Sequence, residues 1–527
     1  QGFGLEDTHS VANGLVWGPD GWLYGVQGST TSSRVTRPGL DPPKAEGVYF
    51  EGCMVWRYHP ETREYDIFSE GSGNPFGLEV DAHGRLYSGH NGGSTRGWHY
   101  VQGGIYLKQG VDPGKFGPGR NPYAFGELPM MVTRNPVARF SHFGAFAEGT
   151  AMPSKYQGHL FALDPLHNVV IDVERRALGS TFETKDNGPA VWSEDVAFRP
   201  LFIANAPDGS LYVSDMYEFY IAHGQHYQSQ IDPSTGRVYR LRGKDSALER
   251  DTNLEKKPTD QLVALLSHPN KWHRQMAAQL LGERKDLSVV PKLKQVLKQN
   301  TDLGALGALW ALQQMGALRD ETAQSAFQHP YPAVRMWAVR LLGDKYGANR
   351  GLGAPGIGAT AARNLPGVSM KALSELARSE MDAEVRSQIA STARRLPTAQ
   401  ALALVSVLSA NDGDVTDRPA ALPSPSKALV STTPARAGDA ADPYIPLLIW
   451  WVIESHAGIN REEVLEFFKT ASLWDRPLVQ QHLLPRLMRR FALEGRRQDL
   501  MVCAQLLRMA PTPQHTAFLM KGFEEAY

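Results

Sequence analysis

The chain has 527 residues, with Lys+Arg and Asp+Glu both at 55, so no net field draws it to nucleic acid or to an anionic membrane. Its two cysteines and its lack of any CxxC or CxxCH motif exclude a disulfide framework, a thiolate zinc site and covalent haem. The longest apolar run, IPLLIWWVI at 445–453, is about half a membrane span and reads as a buried helix.

Three stretches repeat one pattern: GLVWGPDGWLY at 14–24, GLEVDAHGRLY at 77–87 and IANAPDGSLY at 203–212. Each is a short apolar strand, a tight Asp-Gly or His-Gly turn, then a strand ending in Leu-Tyr. The turn glycines Gly21, Gly84 and Gly209 are separated by 63 and 125 residues, so a degenerate copy is expected between the last two. Gly158, in YQGHLFALD, is the best candidate. A hairpin recurring at this spacing marks the blades of a β-propeller, whose loops gather into one site. Alternating runs at 54–58 and 237–241 suit outer blade strands. Gly/Pro-rich insertions at 30–47 and 109–135 are placed to wall a pocket.

Near Lys244 the composition shifts to Leu and Ala at helical spacing. HPNKWHRQMAAQLLGER at 268–284 recurs as HPYPAVRMWAVRLLGDK at 329–345, an offset of 61 that fits two helical hairpins. LGALGALWALQQMG at 303–316 supplies the copy between, and 382–396 is a weaker one. This resembles HEAT repeats, and His268 and His329 read as helix-capping residues. Residues 409–443 are rich in Pro, Ala, Ser and Asp without apolar periodicity, and are expected to be a linker or exposed loop. Helical sequence resumes at 444. The expected organisation is multidomain. An all-β propeller over 1–243, with about four blades present, is followed by an all-α HEAT-like solenoid over 244–408 and 444–527.

Four phrases carry a family resemblance: NGLVWGPDGWLYGVQG at 13–28, VWRYHPETREYDIFSEG at 55–71, GNPFGLEVDAHGRLYSGHNGG at 73–93 and PDGSLYVSDMYE at 207–218. With these the first 242 residues resemble the propeller of the membrane-bound dehydrogenase family common in planctomycetes. That family is similar to soluble sugar dehydrogenases that use pyrroloquinoline quinone (PQQ). Its members join a six-bladed type of propeller to HEAT-like repeats and then to a c-type haem domain. The resemblance implies that this sequence is a piece of a longer, exported protein, periplasmic or at the cell surface. It implies PQQ and calcium as cofactors, a sugar or other alcohol as substrate, and a c-type cytochrome or other external acceptor for electrons.

Residue by residue, the resemblance gives His9 the role of base that removes the substrate hydroxyl proton; imidazole titrates near neutral pH. His9 lies about two residues further from the turn than the family pattern, and a strand-start histidine held by hydrogen bonds is the alternative. His90, Asn91, Gly92 and Gly93 match the loop whose carbonyls hold calcium, a hard cation that prefers oxygen. Arg199 matches a cofactor-binding arginine, with an inter-blade salt bridge as the alternative. Two positions depart from the pattern. Gly73 stands where an arginine is expected before Asn74-Pro75, and Leu166 falls where a cofactor lysine is expected, with His167 beside it as the substitute cofactor contact. Losing a preorganised cation from such a site costs orders of magnitude in rate.

Other residues are read from chemistry alone. Arg96, Trp98 and His99 could form a sugar platform, since an aromatic face stacks on pyranose C–H groups; packing between blades is the plainer reading. Asp215, Tyr217 and Glu218 follow an inner strand and could face the funnel. No GxSxG, Walker loop, HExxH or dinucleotide fingerprint occurs. Two functions remain open: a PQQ-dependent sugar or alcohol dehydrogenase-like enzyme, or a non-catalytic propeller and solenoid that bind a glycan or a protein partner.

Overall fold

The computed structural model describes residues 1–108, 121–138, 143–219, 234–348, 361–410 and 438–527. The first half is β-rich and the second is α-helical. In the β half, β1 (Ala12–Trp17) and β2 (Leu23–Gln27) form a hairpin, and β3 (Ser32–Val35) and β4 (Val48–Glu51) a separate ribbon. β5 (Met54–Tyr58) and β6 (Tyr65–Ser72) extend the first sheet. The second sheet holds β7 (Glu79–Val80), β8 (Leu86–Ser88) and β9 (Trp98–Tyr100), after which β10 (Ile105–Lys108) returns to pair parallel with β6. In the third, β11 (Val132–Thr133) forms one edge and β12 (Gly144–Phe146) the other. Between them lie β13 (Leu160–Asp164), β14 (Val169–Leu178) and β15 (Thr181–Trp192). The fourth holds β16 (Pro200–Asn205), β17 (Leu211–Asp215) and β18 (Arg237–Leu241).

These four sheets open on the same device. Gly21, Gly84, Gly158 and Gly209 have φ of +85°, +75°, +77° and +85°, so the fainter copy at Gly158 turns as the other three do. The leading strands are neighbours in chain order. Gly14 of β1 abuts the backbone of Gly77 just before β7, Glu79 of β7 accepts the N–H of Phe146 in β12, and Asn205 of β16 donates to the Phe146 carbonyl.

In the helical half, α1 (Thr259–Leu265), α2 (Lys271–Arg284), α3 (Val290–Gln299) and α4 (Leu303–Gln314) are followed by α5 (Asp320–Ala326) and α6 (Pro332–Tyr346). Next come α7 (Gly367–Ser379), α8 (Ala383–Ala393), α9 (Thr398–Leu408) and α10 (Ile445–Ala457). The last are α11 (Arg461–Phe467), α12 (Ala471–Trp474), α13 (Leu484–Glu494), α14 (Arg497–Met509) and α15 (Pro513–Glu524). One row, α2–α4–α6–α8–α10–α13–α15, packs helix on helix, with α1, α3, α5, α9 and α14 behind it. His268 and His329 lie in the turns ahead of α2 and α6, where each Nδ1 accepts the backbone N–H two residues on, from Asn270 and Tyr331, at 3.1 Å; the side chain that caps α2 is Asn270. Among the described residues no helix is long and apolar enough to cross a membrane.

The row of helices is bolted onto the turns of the β sheets. Arg57, fully buried, bonds Asp66 at 3.2 Å and Asp344 of α6 at 3.0 Å and lies 4.1 Å over the Trp22 ring. Arg340 of α6 reaches Asp20 at 2.9 Å and the Tyr24 hydroxyl. Arg85 pairs with Asp81 at 3.3 Å and with Glu384 of α8 at 2.5 Å, and Arg175 adds a second cation to Asp81. Lys271 of α2 pairs with Glu79. Trp337 donates to the His83 carbonyl at 2.7 Å.

Much of the expected linker at 409–443 lies outside the described residues, but its end is docked. Asp439, nearly fully buried, pairs with Arg386, and Asp442 accepts from the Ser180 hydroxyl and backbone N–H. The described end of the second insertion also packs on helices: Trp450 and Trp451 donate to the carbonyls of Tyr123 and Ala124 at 3.0 Å. Apolar aromatic bodies with a polar tip suit such a seam. Cys53 and Cys503 are both buried and unbridged.

Burial acts to raise the carboxyls of Asp344 and Asp81, but their guanidinium partners override it and hold both far below the ordinary range. A depressed folded-state pKa gives stability that is complete above the unfolded value of about 3.9 and is lost as pH falls through the folded one. The urea midpoint should therefore fall on acidification below about pH 4. Asp344→Asn should cost about 3–5 kcal/mol at neutral pH, by stranding Arg57 and Arg395, and should flatten that acid slope. Urea unfolding across pH checks both.

Candidate functional site

The four hairpins share a polarity, so each sheet presents strand starts at one end and glycine turns at the other. The strand-start end gathers the residues expected to carry chemistry, in two groups.

The first group spans sheets one and two. His9 precedes β1 with its side chain 42% exposed; its N–H donates to Asp7 Oδ1 at 2.9 Å and its ring Nδ1 lies 3.5 Å from the same oxygen. Desolvation works to raise the Asp7 carboxyl, but bonds from Thr30 and His9 hold it below its usual value. Asn74, at φ +53°, is the knot of this group. Its Oδ1 accepts from Ser10 Oγ at 3.0 Å and the Ser29 N–H at 2.9 Å, and its Nδ2 donates to the His9 carbonyl at 3.3 Å. Next to it, the Gly73 carbonyl accepts the Asn91 N–H at 2.9 Å, which fixes the 90–93 loop. The His90 ring stands edge-on to Trp98 with centroids 4.6 Å apart, and burial pushes its pKa down to about 4. A Cβ at Gly73 would fall inside the His90 ring, so no arginine fits there without rebuilding the loop.

The second group spans sheets three and four. Arg199 is buried, and its guanidinium donates to the carbonyls of Pro165 at 2.7 Å, Glu218 at 2.7 Å and Phe219 at 3.0 Å. Burial lowers its pKa, with Asp215 opposing. Asp215 Oδ1 accepts the N–H groups of Arg199 at 2.7 Å and Tyr217 at 2.9 Å, and Arg237 lies 3.9 Å over the Tyr217 ring. His167 pairs through Nδ1 with Asp164 at 2.8 Å and caps the β13–β14 turn.

Arg96 and Trp98 do not offer an open platform. Arg96 makes a forked pair with Asp186, at 2.9 Å from Nε, and Trp98 is only 1% exposed. His99 stacks on Tyr87 and Tyr444 inside the core, where burial drives its pKa to about 3. Sequence reasoning passed over Asp7 and Asn74. Asn74 could have been found from its place before a proline in a Gly-rich turn, since asparagine tolerates positive φ.

At the opposite end lies a feature that no motif announced. A cavity of about 480 Å³ separates the turns of sheets one and two from α2 and α4. A His/Glu trio also sits at this end. His268 Nε2 and His273 Nε2 lie 3.4 and 3.0 Å from Glu249 Oε2, near enough to share an ion. Proton placement favours hydrogen bonds instead. His268 Nδ1 accepts from Asn270, so its Nε2 carries the proton that points at Glu249.

Residues 1–245 match the family model described as a domain of unknown function, DUF7133. No curated protein matches the chain. Twelve chains of known structure match in part. One is the "putative oxidoreductase (glucose dehydrogenase)" from Thermus thermophilus, 20% identical over 43% of this chain and 63% of that one. Its TM-score is 0.26, and at that value the likeness carries no argument for this chain.

His90 should remain a neutral imidazole from pH 8 down to about pH 5. A histidine NMR titration checks it, and a midpoint near 6.5 would contradict the buried geometry.

Proposed function

We propose that residues 1–243 are blades of a β-propeller related to the PQQ-dependent sugar and alcohol dehydrogenases, and that the chain works as a ligand-binding scaffold without their grip on the quinone. The propeller reading is supported by four sheets, antiparallel apart from the edge strands β10 and β11, with matching lead hairpins and side-by-side lead strands. The outer face of the fourth sheet, with Phe202 and Val238, is exposed, as it would be in a ring with more than four blades.

The observation that carries the functional half is the engagement of Arg199. PQQ is a tricarboxylate and needs unengaged cations. Arg199, which the resemblance would assign to hold it, points its fork at backbone carbonyls. His167 is bonded to Asp164, Leu166 supplies no charge, and Gly73 has no room for the missing arginine. The residues present do not fit the group in the manner of the sugar dehydrogenases. For calcium the 90–93 loop offers backbone oxygens of the kind the resemblance implies, and a cation that takes about six to eight oxygens would need the rest from elsewhere. Calorimetric titration with PQQ and calcium chloride should give no saturable heat, and saturation would overturn the scaffold reading.

An oxidising enzyme is the second reading, and His9 favours it. Its half-exposed ring beside Asp7 is arranged as a proton acceptor steadied by a carboxylate. Under that reading a sugar or other alcohol loses its hydroxyl proton to His9, and dye-linked turnover with PQQ should be abolished by His9→Ala. Unchanged turnover in that variant would remove His9 from the role.

A further inference from the structure

We propose that the cavity between the β-sheet turns and the helices is a binding site for a neutral oligosaccharide. At about 480 Å³ it falls within the roughly 300–1,000 Å³ of small-molecule sites, and such sites favour seams between structural units.

Its walls combine flat apolar faces with amides. β1 contributes Leu15 and Trp17, which are 63% and 47% exposed, unusual for large side chains on a leading strand. From the helices, Trp272 and Gln275 of α2 and Trp310 and Gln313 of α4 complete the lining. Trp310 is 7% exposed, and its Nε1–H is buried without a hydrogen-bond partner.

Charge narrows the ligand class. Most ionic groups of the lining are paired: Lys271 with Glu79, Lys285 with Glu61 at 2.6 Å, Asp20 with Arg340 and Asp81 with Arg85, while Glu283 takes the Gln279 amide at 2.8 Å. Arg274 donates to the carbonyls of His268 and Pro269 at 2.7 Å. A phosphate or carboxylate would find one cation without a carboxylate partner, Arg274, and that guanidinium is already turned to backbone carbonyls. A fully apolar ligand would bury the glutamine amides unmatched. A saccharide fits both demands, because its C–H face stacks on indole while its hydroxyls take up amides and N–H groups.

This site stands apart from the strand-start end, so its test is separate from the PQQ titration. The full chain would be titrated by calorimetry with maltotriose, cellotriose, xylotriose and mannotriose, and with dodecanoate as the apolar probe. At least one trisaccharide should saturate below about 1 mM. Trp17→Ala should weaken it by about tenfold and Trp17→Phe should largely restore it. Gln313→Ala, a second variant on the other wall, should weaken it too, with thermal unfolding of each variant reporting its integrity. No saturation by any trisaccharide, binding indifferent to both Trp17→Ala and Gln313→Ala, or tight binding of dodecanoate alone would each overturn the proposal.

Discussion

Arg57 is a fully buried guanidinium on a β-strand, and the carboxylate that neutralises it from above, Asp344, is 287 residues away on a helix. Everything else in the molecule presupposes that such pairs form. Burying an ion costs several kcal/mol, and only close geometry with satisfied hydrogen bonds returns it. Here the geometry is satisfied on both sides: Arg57 also bonds Asp66 and stacks on Trp22, while Asp344 also takes Arg395 and Gln102. The same arrangement recurs at Asp20–Arg340 and Asp81–Arg85–Glu384. Breaking one partner of such a pair while the seam stays closed would strand the other, so the pairs tie the two halves together.

That constraint divides the β sheets by function. The turn end is committed to docking, and its aspartates hold the helices in place. The strand-start end is left for other work, yet there the cations are turned inward: Arg199 secures backbone carbonyls and His167 a local turn. On the function proposed above, the first half would share only its framework with quinone dehydrogenases, because Arg199 and His167 are engaged within the protein. The imperfect fit of helix row to turns leaves the cavity faced by Trp17 and Trp272.

Local patterns in the sequence reached as far as local physics does. The turn glycines, including the faint copy at Gly158, were legible because a positive φ demands glycine wherever the hairpin recurs. The helical half was legible because HP…R…LLG repeats at a fixed offset, and His268 and His329 take matching places in the turns ahead of α2 and α6. What stayed hidden depends on distance. No spacing rule joins Arg57 to Asp344 or Arg386 to Asp439, and the end of an apparently featureless linker proved to be a buried anchor. Arg96 and Trp98 looked like a platform because composition cannot say which side of a strand faces solvent. Nor could Arg199 be known to point at carbonyls before the 165–167 turn was in place.

Ion pairs that weld the two halves should make them one cooperative unit. Pulsed hydrogen exchange with mass spectrometry along a urea gradient reads the β strands and the helices separately in the same sample. Peptides from β1–β6 and from α4–α8 should lose protection together, at one midpoint. If the helices keep their protection after the sheets have opened, or the reverse, the halves are independent domains and the weld does not exist.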